Sequence, residues 1–149
     1  MNKRRDKQAE EWPIRRTLGV NLVQTFNWVY DRSQQFFAGY GLTSQQYNAL
    51  KILYEAARPL STSEILERMV EKNAGVSRLV DRLVLKKLVE KQINQTDKRL
   101  IDTWLTPAGE ALYLEVTGQL DKVDEVYAGL DDKEVTTLNR LLDKIRSGE

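Results

Sequence analysis

The sequence predicts a mainly α domain carrying one small β-hairpin, and three observations point there. Apolar residues recur at steps of three and four through most of the chain, the spacing that lines one face of a helix. Short polar motifs that cap helix N-termini stand directly before several of these stretches. Between residues 88 and 105 the period drops from about 3.6 to about 2, which is strand spacing. With 149 residues the chain has room for a single domain, 1–149, and too little for two of ordinary size.

Residues 1–11 show no periodicity and are expected to be mobile. From Ile14 a stripe of Ile14, Leu18, Leu22, Phe26, Val29, Ser33, Phe36 and Tyr40 predicts one long helix with its apolar side buried. Pro13 suits its first turn, Gly39 and Gly41 end it, and Trp28, Tyr30 and Phe37 off the stripe imply a second covered face. Thr43 with Gln46 is a capping box for a second helix bearing Tyr47, Leu50, Leu53 and Tyr54, stopped by Arg58-Pro59. Ser61 with Glu64 opens a short helix with Ile65, Leu66 and Met69. A further helix is expected from about Asn73 to Lys87, with Val76, Leu79, Val80, Leu83 and Val84 facing inward. Leu88–Ile93 and Leu100–Leu105 are β-prone, and the polar run Asn94–Arg99 joins them into a hairpin with a basic tip. Thr106-Pro107 starts a long helix with Leu112, Val116, Leu120, Val123, Tyr127 and Leu130. Asp131 with Glu134 caps a last one bearing Val135, Leu138, Leu142 and Ile145.

Composition restricts the chemistry open to this domain. The chain has no cysteine, which excludes disulfides, thiolate nucleophiles and thiol redox sensing, and no histidine, the commonest general base and metal ligand. It has no Gly-rich phosphate loop either, so no cofactor is expected and nothing supports an enzyme. The acidic groups Asp121/Asp124/Glu125 and Asp131/Asp132 read as solvated helix ends rather than a metal site. No apolar run approaches the ~18–20 residues of a membrane span, and the charged start lacks a signal-peptide core, so a cytoplasmic protein is expected.

The formal net charge of +1 conceals an uneven distribution. Residues 72–99 carry eight Lys/Arg against three Asp/Glu, while residues 107–149 carry five against ten. A basic block set between neutral and acidic segments forms a local positive patch, and such patches face polyanions.

The short helix, turn, second helix and basic hairpin of residues 61–105 form a winged helix-turn-helix pattern. The second helix of such a pair buries one face in its own domain and turns the other to the major groove. Here the outward positions are Asn73, Ala74, Ser77, Arg78, Asp81 and Arg82. Arg78 and Arg82 suit guanine edges or phosphates. Lys98 and Arg99 at the hairpin tip suit the narrow minor groove, and Asp97 is expected to hold Arg99 in one rotamer by a bidentate pair.

Asp97 through Thr106 fits DxRxxxxxLT, and Ser77-Arg78-Leu79-Val80-Asp81-Arg82-Leu83 precedes it. Both resemble the wing and recognition-helix motifs of the MarR (multiple antibiotic resistance regulator) family, and the likeness extends from about residue 14 to 146. The resemblance implies a winged helix-turn-helix region at 42–106 and helical dimerisation regions at 12–41 and 107–147. It also implies a homodimeric transcriptional regulator, usually a repressor, released by a small aromatic or amphipathic effector bound between the dimerisation helices and the winged region. Carried over by position, the DNA contacts are Ser77, Arg78, Arg82, Asp97 and Arg99, to which position and charge add Asn73 and Lys98. The partners implied are double-stranded DNA with a pseudo-palindromic operator and a second copy of the chain. No residue is assigned to the effector.

The sequence departs from the family pattern in two places. Val70 and Lys72 stand where a turn glycine and a Ser or Thr cap are common. Lys87 stands in place of the glycine before the first wing strand, and must either forgo a left-handed cap or adopt one at a cost. Other readings of the same residues remain open. The basic helix face could be merely solvated, and the Phe26/Tyr30/Phe36/Phe37/Tyr40 aromatics are more readily core or dimer contacts than an effector pocket. Lys3-Arg4-Arg5 either adds nonspecific DNA affinity or forms a soluble tail. The alternative function is a winged-helix protein that binds DNA constitutively, or uses its wing for protein contacts, without an effector.

Overall fold

The structure, a computed structural model, describes residues 12–72 and 75–148. The expectations for residues 1–11, for Lys3-Arg4-Arg5 and for Asn73 and Ala74 lie outside the described residues. Seven α-helices and three short strands follow one another among those described. They are α1 Ile14–Ala38, α2 Ser44–Ala56, β1 Leu60–Ser61, α3 Thr62–Arg68, α4 Val76–Leu85, β2 Val89–Ile93, β3 Ile101–Leu105, α5 Pro107–Thr117, α6 Asp121–Asp124 and α7 Asp132–Ser147.

Local chemistry sets most of these boundaries. All three capping boxes form, with Thr43, Ser61 and Asp131 each accepting from the backbone N–H three residues on while Gln46, Glu64 and Glu134 reach back. Thr106 caps α5 with Pro107 at its first position. Pro13 occupies the cap position of α1 rather than its first turn. Gly41 takes a left-handed φ of 70° as the chain leaves α1, a conformation that costs glycine nothing.

The core lies where α2, α3, α4 and α5 meet the small sheet. Leu50, Leu60, Ile65, Val80, Leu83 and Val116 are fully or almost fully buried there. Thr103 is buried beside them, and its hydroxyl finds no hydrogen-bond partner among the described residues, which costs about 1–3 kcal/mol of desolvation. The sheet is antiparallel with β3 in the centre. Val89 faces Leu105 and Ile93 faces Ile101 across the hairpin, while Leu60 and Ser61 pair with Thr103 and Asp102 on the other side. The sequence gives no sign of β1. Two residues are too short for a period, and Ser61 serves at once as the strand's end and the cap of α3.

Three expectations need correction. The stripe of α1 is not buried along its length. Ile14 is 81% exposed and Phe26 61%, and Phe37, off the stripe, is the helix's buried residue. Among the described residues, the core reaches the α1 region through Phe36, Phe37 and Tyr40, at the end near α2. Next, α4 starts at Val76, with Gly75 at its cap position and no side-chain cap, and ends at Leu85. Finally, the long helix expected after the wing is broken into α5, α6 and the 3₁₀ turn Glu125–Tyr127. The backbone is right-handed helical at Gly118, Leu120, Asp124, Glu125 and Ala128, but Gln119, Leu120, Lys122 and Val123, and again Ala128 and Leu130, bond to the carbonyl three back. Gly118 lowers helix propensity at the break, and the Thr117 hydroxyl donates to the Tyr113 carbonyl just before it. No helix of the described residues is long and apolar enough to cross a membrane.

Candidate nucleic-acid interface

On α4, Val76, Val80 and Leu83 are buried, whereas Ser77, Arg78, Asp81 and Arg82 are exposed on the opposite side. The division follows from a rotation of about 100° per residue, which gathers positions i, i+1, i+4 and i+5 within one face. Ser77, Arg78 and Arg82 thus share a solvent-facing surface. Asp81 on the same face pairs with Lys91 of β2, which ties the helix to the wing. Lys86, just past α4, donates to the Gly41 carbonyl and to Gln46 Oε1, pinning the end of α4 to the α1–α2 loop and the start of α2.

The wing tip is built around Asn94. Its side-chain carbonyl accepts from the Thr96 amide at 2.9 Å, the Thr96 hydroxyl at 2.8 Å and the Asp97 amide at 2.8 Å. Its amide nitrogen donates to both Asp102 oxygens, at 3.2 and 2.9 Å. An asparagine closing the strand can mimic one more backbone turn, which fixes the six-residue tip without a glycine. Neither Asn94 nor Asp102 was among the expected functional residues. The available sign was an Asn followed two residues later by Thr, a turn-forming pair.

Asp97 and Arg99 meet as the sequence predicts. Arg99 Nε donates to Asp97 Oδ1 at 3.0 Å and a terminal nitrogen to Oδ2 at 2.9 Å, a bidentate fork. The Arg99 backbone N–H also donates to Oδ1, at 3.1 Å. The side-chain bonds from Arg99, and then its amide, hold the Asp97 carboxyl below its ordinary range, and Asp97 raises the Arg99 guanidinium in turn. The Arg99 side chain is 88% exposed and that of Asp97 35%. The fork therefore presents a charge outward in a fixed direction. Lys98 is exposed beside it.

At the wing base, Thr106 joins two exits. Its amide donates to the Leu88 carbonyl at 3.1 Å, and its hydroxyl donates to the Lys87 carbonyl at 2.7 Å while accepting from Gly109 at 3.0 Å. Lys87 adopts the left-handed φ of 59° that its position demands. Gly109 lies so close that a Cβ there would stand 1.9 Å from the Leu88 carbonyl oxygen. The Leu-Thr that ends the wing motif is thus the joint setting the wing against α4.

The family model described as MarR family matches residues 40–100, from the end of α1 to the wing tip. The HTH-type transcriptional regulator MgrA of Staphylococcus aureus is 29% identical over 113 residues, 76% of either chain. Among solved structures, a mutant MarR from Escherichia coli complexed with operator DNA superposes with a TM-score of 0.76 at 25% identity, over 87% of this chain and 93% of that one. Bordetella bronchiseptica BpsR, whose DNA binding is regulated by 6-hydroxynicotinic acid, has the same fold with a TM-score of 0.76 at 24% identity, over 87% and 98%. The chain thus matches the MarR family model through its winged region and shares the fold of MarR-type winged-helix transcription regulators along most of its length.

Proposed function

We propose that this protein is a dimeric, sequence-specific DNA-binding regulator, a repressor released by a small-molecule effector. In this reading residues 42–106 bind DNA, and residues 12–41 and 107–147 form the dimer. The observation that carries it is the Asp97–Arg99 fork, an exposed guanidinium held in direction at the tip of a slender hairpin. Such a group suits the narrow, electronegative minor groove. Arg78, Arg82 and Ser77 on α4 would enter the adjacent major groove, with Lys98 beside Arg99 at the minor groove and Asn73 added from its position in the sequence. An E. coli MarR of the same fold complexed with operator DNA supports DNA binding by this chain.

In a two-fold dimer the two α4 helices reach successive major grooves about 34 Å apart, so the operator is a pseudo-palindrome with half-sites about one turn apart. An effector shifts the equilibrium only by binding one placement of the winged regions better than the other.

Fluorescence anisotropy across a salt series, with the duplex upstream of its own gene and a scrambled control, tests the reading. Tight, salt-steep binding to the upstream duplex alone, weakened by Arg99→Ala with the fold intact, is expected. Arg78→Ala should cost about 1–3 kcal/mol and relax preference at one base position. Weakening on every duplex alike would make Arg78 a phosphate contact. No binding to either duplex at low salt would overturn the proposal and favour protein contacts through the wing.

A further inference from the structure

Behind the wing lies an open cavity of about 1010 Å³, bounded on one side by the end of α2 and on the other by β2 and β3. That is the size range of small-molecule sites. Tyr54 and Trp104 supply its aromatic walls, and Asp102, Glu110, Arg58 and Asn94 its polar lining.

The charges of this lining are not balanced. Arg58 is already committed, donating to Glu64 at 2.7 Å and to the Pro59 carbonyl at 3.0 Å. Asp102 is bonded by the neutral Asn94 amide and makes no ion pair among the described residues. Glu110, in the first turn of α5, makes no ion pair among the described residues. Two carboxylates without a cation therefore stand beside two aromatic rings. Ring faces attract cations through their quadrupole, and the carboxylates add charge complementarity.

We propose that this cavity is an effector site for planar aromatic cations, and that its occupant acts through Asn94. The regulatory half of this rests on the proposed function; the binding half does not. Asn94 holds Asp102 with its amide and the turn carrying Asp97 with its carbonyl, so one side chain links cavity and wing tip. A cation paired with Asp102 draws that carboxylate from Asn94, loosens the turn and releases the support of Arg99. The opposite wall is connected as well. Tyr54 packs on Tyr113 with ring centres 4.6 Å apart, Tyr113 on Tyr47 at 5.7 Å, and Tyr47 on Phe37 of α1 at 4.9 Å.

Rhodamine 6G and fluorescein share a xanthene ring system and differ in charge, so the pair tests the site on the full-length protein. Dye anisotropy should show rhodamine 6G bound at least about tenfold more tightly than fluorescein, and Glu110→Gln should cut that preference about five- to tenfold. In the operator assay, rhodamine 6G should lower the affinity of wild type, while Glu110→Gln keeps its basal affinity and is less sensitive to the dye. Equal binding of both dyes, or a preference untouched by Glu110→Gln, overturns the cavity assignment. Charge-selective dye binding with no dye effect on an intact operator complex overturns the link through Asn94. Charge-selective binding by a protein that holds no DNA leaves the site standing and removes the proposed function instead.

Discussion

Asp97 does two things for Arg99, since one oxygen stops the turn at the backbone while both together aim the guanidinium. Asp97→Asn keeps the size and one acceptor but loses the ionic fork. Operator affinity should then fall about three- to tenfold with the salt slope nearly unchanged, because the cation remains. Arg99→Ala should instead lower that slope by about 0.9. Paired salt titrations read the difference, and identical slopes for the two variants would mean Arg99 displaces no counterion from the DNA. Lys87 is held at φ 59°, where a Cβ is strained. Lys87→Gly should raise stability by about 0.5–1 kcal/mol after the entropy gained by the unfolded chain is offset, as read from the urea midpoint. The fork was legible because two residues of opposite charge on one tight tip can meet only one way. The Asn94 hub was not, because its partners lie on both strands and depend on a register that sequence alone does not supply.

Helix α3 shows how an element of seven residues is held at its start. Glu64 closes the capping box and also receives Arg58, so bonds from Arg58 and then the Ser61 amide lower its carboxyl to about 2. A depressed carboxyl stabilises the fold above its ordinary range and loses that effect as pH falls through the folded value. Thermal melts of wild type and Glu64→Gln should therefore differ at neutral pH and converge as pH drops toward about 2. A constant gap across that window would show that the ion pair contributes nothing. Helix α5 depends instead on close approach. Gly109→Ala forces a methyl into the Leu88 carbonyl and should cost roughly 3 kcal/mol in chemical unfolding. Caps of this kind are read easily in a sequence, since donor and acceptor are three residues apart. The break at Gly118 was hidden because the apolar steps run on through it, and β1 because its partner strand lies some forty residues away.

Seen as one molecule, the chain buries its winged half and leaves apolar faces of its terminal helices uncovered. Trp12, Phe26, Trp28, Leu138 and Ile145 are all 45% exposed or more, a concentration that a soluble monomer rarely shows. Sedimentation velocity at micromolar concentration should find a particle of twice the 17.2 kDa chain mass. Phe26→Glu should shift it toward monomer, and a monomer for wild type would remove the two-fold operator model. The apolar stripe was legible from spacing alone, but spacing cannot tell whether a face is covered by its own chain or by another. Thr106 has a consequence at this scale. Its amide and hydroxyl bind the loop leaving α4 as the strand leaves the wing, so wing and α4 turn on one joint rather than two hinges. In deuterium exchange, the amides of β2, β3 and α4 should open as a single cooperative unit. Fitting an operator of different groove width then requires the whole lobe to swing, or the tip itself to change length.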